Sequence, residues 1–144
     1  MSDLSLNLKR IIQAPIEDVF EAWLQPTILA QIMVPAPNMH VPKAEADPRV
    51  GGRFTIVMAA GEQEIVHTGE YLTLDRYSQI VFTWNSPFSA DGSTVTLNLV
   101  QTDAGTEVEL IHVRLLDEES RDNHAGGWST ILANLNQVLV PNQA

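Results

Sequence analysis

Residues 117–141 read DEESRDNHAGGWSTILANLNQVLVP, and the fold turns on the reading of that run. Asp117 is an N-cap residue by type, Glu118 and Glu119 follow where the helix dipole favours carboxylates, and Ala125, Trp128, Ile131, Leu132, Leu135, Val138 and Leu139 recur at three and four. The pattern predicts one long helix, ended by Pro141. Upstream the period is two. Leu4, Leu6 and Leu8 alternate with Ser5, Asn7 and Lys9, which predicts a half-buried strand over Leu4–Gln13. Pro15 suits a first helical position, and Ile16, Val19, Phe20, Trp23 and Leu24 share one helical face. Pro26 breaks that helix, Thr27–Met33 predicts a second short one, and Val34–Pro42 carries three prolines and reads as a loop.

From Lys43 to Leu115, turn signals at Asp47-Pro48 with Gly51-Gly52, Ala60-Gly61, Asp75–Ser78, Asp91-Gly92 and Asp103–Gly105 divide the chain into six further strands. Links this short join only antiparallel neighbours. The inward set is Phe54, Ile56 and Met58; Ile65, His67, Gly69 and Tyr71; Ile80, Phe82 and Trp84; Val95, Leu97 and Leu99; and Val108, Leu110 and His112. A seven-stranded sheet that is apolar on one face has to cover that face, and only the last helix is long enough to lie across it. The expected architecture is α+β, one domain over residues 1–144, with the sheet curled around the C-terminal helix and two short helices between the first and second strands. A gap between sheet and helix is where a ligand site would form.

Composition narrows the function. The chain has 144 residues, no cysteine, and eighteen Asp+Glu against eight Lys+Arg, a formal charge of −10. Missing thiols exclude disulfides, cysteine nucleophiles and Cys-ligated zinc or iron. The charge has the wrong sign for nucleic acid, and no run of about eighteen apolar residues would span a membrane. The N-terminus reads as a strand rather than a secretory signal, so a cytoplasmic protein is expected. Ile111, Val113 and Leu115, with Val57, Val66 and Leu72, take outward parity. Were they contiguous, they would form a homodimer face.

Several segments resemble a known family. Arg10 with Ala14-Pro15, Ala22-Trp23-Leu24-Gln25-Pro26, Asp47-Pro48-Arg49-Val50-Gly51-Gly52-Arg53-Phe54, His67-x-Gly69-x-Tyr71, Ile80-Val81-Phe82-Thr83-Trp84 and His124-x-x-Gly127-Trp128 are similar to the START-like (SRPBCC) superfamily, in the branch named after the Hsp90 ATPase activator. The match covers roughly Leu4 to Leu139. It implies a helix-grip fold with a hydrophobic cavity between sheet and last helix. Members of the superfamily bind lipids, sterols, hormones or polyketides, and some are cyclases. Where the family often has a Trp-Trp-Gly-Pro-like segment, this chain has Ile32-Met33-Val34-Pro35, an aliphatic replacement.

The inward polar groups His67, Tyr71, Trp84, His112 and Trp128 need partners, because each buried and unpaired group costs about 1–3 kcal/mol. The expected function is binding of a small hydrophobic molecule between the sheet and the Trp128–Leu135 face of the helix. Trp23, Phe54, Met58, Phe82, Trp84, Trp128, Leu132 and Leu135 would form the wall, Met33 and Met39 the pliable entrance, and His67, Tyr71 and His112 the polar end. The negative exterior disfavours anionic ligands. No cofactor is expected, and no metal, because no ligand set has metal-binding spacing. Two alternatives stand beside this reading. One is a cyclase or hydrolase of polyketide-like or aromatic substrates, using His67, Tyr71 and His112 with Arg114 as electrostatic partner. The other is an Hsp90-activator-like protein-interaction module. Gly126-Gly127 inside the helix is expected either to admit close packing or to let the helix flex.

Overall fold

In the computed structural model, which describes residues 4–34, 38–87 and 92–140, the chain forms β1 (Ser5–Ile12), α1 (Ile16–Ala22), α2 (Pro26–Ile32), β2 (Met39–Ala46), β3 (Arg53–Ala60), β4 (Gln63–Asp75), β5 (Gln79–Thr83), β6 (Thr94–Thr102), β7 (Gly105–Val113) and α3 (Glu118–Leu139). The strands make one antiparallel sheet in the order β1-β7-β6-β5-β4-β3-β2. Consecutive strands from β2 to β7 are hairpin neighbours, as short turns require, while β1 pairs with β7 at the far edge. The two short helices carry the chain from one edge to the other. The sheet curls around α3 as a half-barrel, an α+β helix-grip fold.

Alternation sorts the two faces. The expected inward residues of β3 to β7 and Trp84 are buried, except Ile65, which is half-exposed. The convex face is held by side-chain amides. Asn7 and Asn98 donate to the two carboxylate oxygens of Glu109 at 3.1 and 3.2 Å, and Gln79 donates to Asn98 at 2.9 Å. These bonds tie β1, β7, β6 and β5 together and hold the Glu109 carboxyl below its usual range.

Two details depart from simple alternation. The expected loop Val34–Pro42 gives way to strand at Met39, with a register shift between His40 and Lys43 that accommodates Pro42, a residue unable to donate to a ladder. At the end of β7, Arg114 takes φ 62°, which reverses the inward and outward sense of the chain. Arg114 therefore points to solvent rather than to the core, and Leu115 is only 1% exposed. The suggested homodimer face loses Leu115 to the core and Val57 to burial. Its remaining members on β7 and β4 are separated by β6 and β5.

The last helix is held unevenly. Its C-terminal half buries Ile131, Leu132 and Leu135. There Asn134 donates to the carbonyls of Ile32 and Val34 at 3.1 and 3.0 Å, closing the end of α2, and Asn136 accepts from the Gln13 amide at 2.8 Å. The N-terminal half is capped by Asp117, which accepts from the Ser120 amide at 2.8 Å, but among its side chains only Ser120 and Trp128 are buried. Helix formation stops at Leu139; the expected stop, Pro141, lies outside the described residues.

Glycine has a defined purpose at position 69. A Cβ there would collide with the Thr83 carbonyl and the Phe54 ring, so the bare backbone lets β4 and β5 close over an aromatic side chain. Gly126 is the opposite case: a Cβ would meet nothing within 4 Å, so close packing does not explain it. Gly126→Ala should therefore raise stability by about 0.5–1 kcal/mol, or about 2–4 °C in melting temperature. Gly69→Ala should lower it by about 3 kcal/mol or prevent folding. Circular-dichroism melts of the two variants check both signs.

Candidate functional site

Because α3 is tied down at its C-terminal half and, apart from His124, carries only small side chains between Asn123 and Gly127, its N-terminal half leaves a space against the sheet. A cavity of about 380 Å³ opens there. Met39, Met58, Ile65, His67 and Trp84 line it from the sheet side. Leu116, Asp117, Glu119, Ser120, Asn123, His124, Gly127, Trp128 and Ile131 line it from α3 and the turn before it. Three rings form a continuous aromatic surface. His67 and Trp84 lie 4.9 Å apart at 33°, and Trp84 and Trp128 lie 4.9 Å apart at 57°. That volume falls within the range of small-molecule sites.

Directly behind the wall, a buried relay fixes Trp128. Its indole Nε1–H donates to His112 Nδ1 at 3.0 Å. Because an indole nitrogen can only donate, Nδ1 is bare, so the neutral ring carries its proton on Nε2 and donates to Ser93 Oγ at 2.6 Å. Burial pushes the His112 pKa down to about 3, with the nearby His124 adding to the fall. His124 lies nearer the opening. Its Nδ1 sits 2.7 Å from the Ser120 carbonyl, which can only accept, so that nitrogen bears the proton.

His67 differs from His112. It is 8% exposed, it lines the cavity, and its Nδ1 has no hydrogen-bond partner among the described residues. Burial lowers its pKa to about 4, an effect opposed by the carbonyls of Ile65 and Ile56 and reinforced by His124. The imidazole is neutral at physiological pH. An unpartnered polar group this deep in a protein is costly unless something supplies the missing bond.

A family model described as Activator of Hsp90 ATPase homolog 1-like protein matches residues 13–140. The chain belongs to that family. Among solved structures, a Chromobacterium violaceum protein is 26% identical, with 96% of this chain and 98% of that one covered at a TM-score of 0.85. An AHSA1-like protein from Aeromonas hydrophila is 25% identical, covering 93% and 90% at 0.80. A Nitrosomonas europaea protein, 22% identical and 94% covered on each side at 0.79, shares the fold. No match was found among curated proteins.

Of the wall expected for this member of the family, Met58, His67, Trp84 and Trp128 come together at the cavity, and Met39 stands among them. Trp23, Met33, Phe54, Tyr71 and Phe82 lie deeper, around a separate void of about 10 Å³ that also touches Trp84. There the rings fill the space themselves, Phe54 packing 5.5 Å from Tyr71 and 5.4 Å from Phe82. The Tyr71 hydroxyl donates to the Trp23 carbonyl at 3.3 Å, and its burial raises its pKa. His112 stands behind Trp128, and Leu132 and Leu135 belong to the packed half of α3. On the helix side, Ser120 has no counterpart in the sequence reading, and His124 and Gly127 figure there in the family resemblance and the glycine pair rather than as site residues. Their spacing with Trp128 and Ile131, at three and four, is the signal that places them on one face. Among the described residues no group of three His, Asp or Glu side chains could hold a metal ion, and no helix is long and apolar enough to cross a membrane.

The histidines predict how stability varies with pH. Both fold to states that bind protons less readily than the unfolded chain, whose histidines titrate near 6.5. Stability is therefore full above pH 6.5 and falls as pH drops toward 4 for His67 and 3 for His112. Between pH 6.5 and 5, above the main carboxylate range, each should remove about 2 kcal/mol. Urea titrations across that window should show the loss, with His112→Gln and His67→Gln each flattening the slope by about half.

Proposed function

We propose that this protein binds a small, largely apolar molecule beneath the N-terminal half of α3. The observation that carries the reading is the cavity itself: an aromatic and aliphatic hollow with one buried imidazole nitrogen left without a partner. A ligand that covers the Trp84 and Trp128 faces gains apolar burial worth about 25 cal/mol per Å². A polar atom of that ligand satisfies His67. Binding is favoured over turnover because His112, one of the two buried inward histidines, already has both ring nitrogens engaged by Ser93 and Trp128. Methionines at positions 39 and 58 give the wall some adaptability to ligand shape.

A neutral solvatochromic dye should bind with a blue shift in its emission and quench tryptophan fluorescence, since two of the three tryptophans border the hollow. Gly127→Leu, at a glycine that lines the cavity, should abolish dye uptake while the protein still melts cooperatively. Equal dye binding by this variant and the parent would remove the proposed site. Native mass spectrometry of freshly purified protein should show a bound small molecule, which Gly127→Leu lacks.

A further inference from the structure

The charge around the opening says which apolar molecules fit. Asp117 and Glu119 are exposed at the rim, and no lysine or arginine lines the cavity among the described residues. Asp117 is committed to the helix cap through the Ser120 amide. Glu119 makes no ion pair with any described residue and presents a free carboxylate to whatever enters.

Behind the rim, the Trp84 and Trp128 rings line the hollow, and aromatic rings attract cations through their quadrupoles. His67, more than nine-tenths buried, also lines the hollow, and its unpartnered Nδ1 can accept a hydrogen bond when it carries no proton. The features of opposite sign are the His124 imidazole, whose charge bears on His67 and His112, the buried Trp84 Nε1–H, which has no partner among the described residues, and the α3 N-terminus, whose amides favour anions. Its own Asp117, Glu118 and Glu119 already occupy that end.

Resting on the binding role proposed above, we infer that the cavity takes a hydrophobic cation, an alkyl or aryl ammonium. The ammonium would lie between the Glu119 carboxylate and the Trp84 and Trp128 faces, with an N–H directed toward His67. The apolar tail would follow Met58 and Ile65. A fatty carboxylate of equal length would meet Glu119 and Asp117 with like charge and find no lysine or arginine in the wall. The formal charge of −10 adds long-range attraction for the same class of ligand.

Three probes of one chain length separate charge from apolar contact: decylammonium, decanol and decanoate, each displacing the neutral dye at neutral pH and below its micelle concentration. Decylammonium should displace the dye at about tenfold lower concentration than decanoate, with decanol between them, and added salt should narrow the gap. Glu119→Gln should shrink the ammonium-to-carboxylate ratio, and Glu119→Lys should reverse it, both read relative to decanol. Equal or better displacement by decanoate in the parent protein overturns the inference while dye binding still upholds the site. An unchanged ratio in Glu119→Lys overturns it too, because the rim would then play no part. If the parent protein does not bind the dye at all, the binding role fails and this inference fails with it.

Discussion

The hydrogen bond from Trp128 to His112 decides where α3 meets the sheet. It joins the middle of the helix to the end of strand β7 on the inward face, through a ring that must stay neutral to accept it and that donates its remaining N–H to Ser93. Toward the C-terminus the helix settles onto the core through Ile131, Leu132 and Leu135. Toward the N-terminus it rises over the hollow. The residue that anchors the helix is thus also one whose ring lines the cavity, so the position of that wall is tied to the integrity of the fold.

This division of one helix into a clamped half and a raised half comes from side-chain size and amide chemistry. Asn134 and Asn136 attach the clamped half to the end of α2 and to Gln13. In the raised half, Asn123, Ala125, Gly126 and Gly127 offer little volume, and apart from Ser120 no side chain before Trp128 is buried. A leucine-rich segment would have drawn the helix down and closed the space. The deeper void of about 10 Å³ shows the other outcome, where α1 and α2 contribute Trp23, Leu29 and Met33 and the rings of Phe54, Tyr71 and Phe82 complete the packing.

Much of the architecture was legible in the sequence because its periods are clean. Leu6 and Leu97 to Leu110 sit on the faces that alternation assigns, and Asp117 caps α3 as its residue type suggests. Less legible were features set by contacts distant along the chain. His67 and His112 share a parity, yet only His112 meets Ser93 and Trp128, and no local pattern distinguishes the two. The left-handed turn at Arg114 moved Leu115 into the core, a change that alternation cannot foresee. The aromatic wall was expected to be broad, but helix packing absorbed its deeper members. The helix-side rim went unseen because polar residues at three- and four-residue spacing carry no hydrophobic signal.

β2 forms an edge of the sheet. An exposed strand edge is a template on which a foreign chain can stack by backbone pairing. Here the rim is broken in register between His40 and Lys43, includes Pro42, and carries the Lys43–Glu45 ion pair at 3.5 Å. An incoming strand would find its ladder interrupted after a few rungs and would have to displace charged side chains. The same irregularity that ends the proline-rich approach to β2 thereby guards this half-barrel against fibril-like growth.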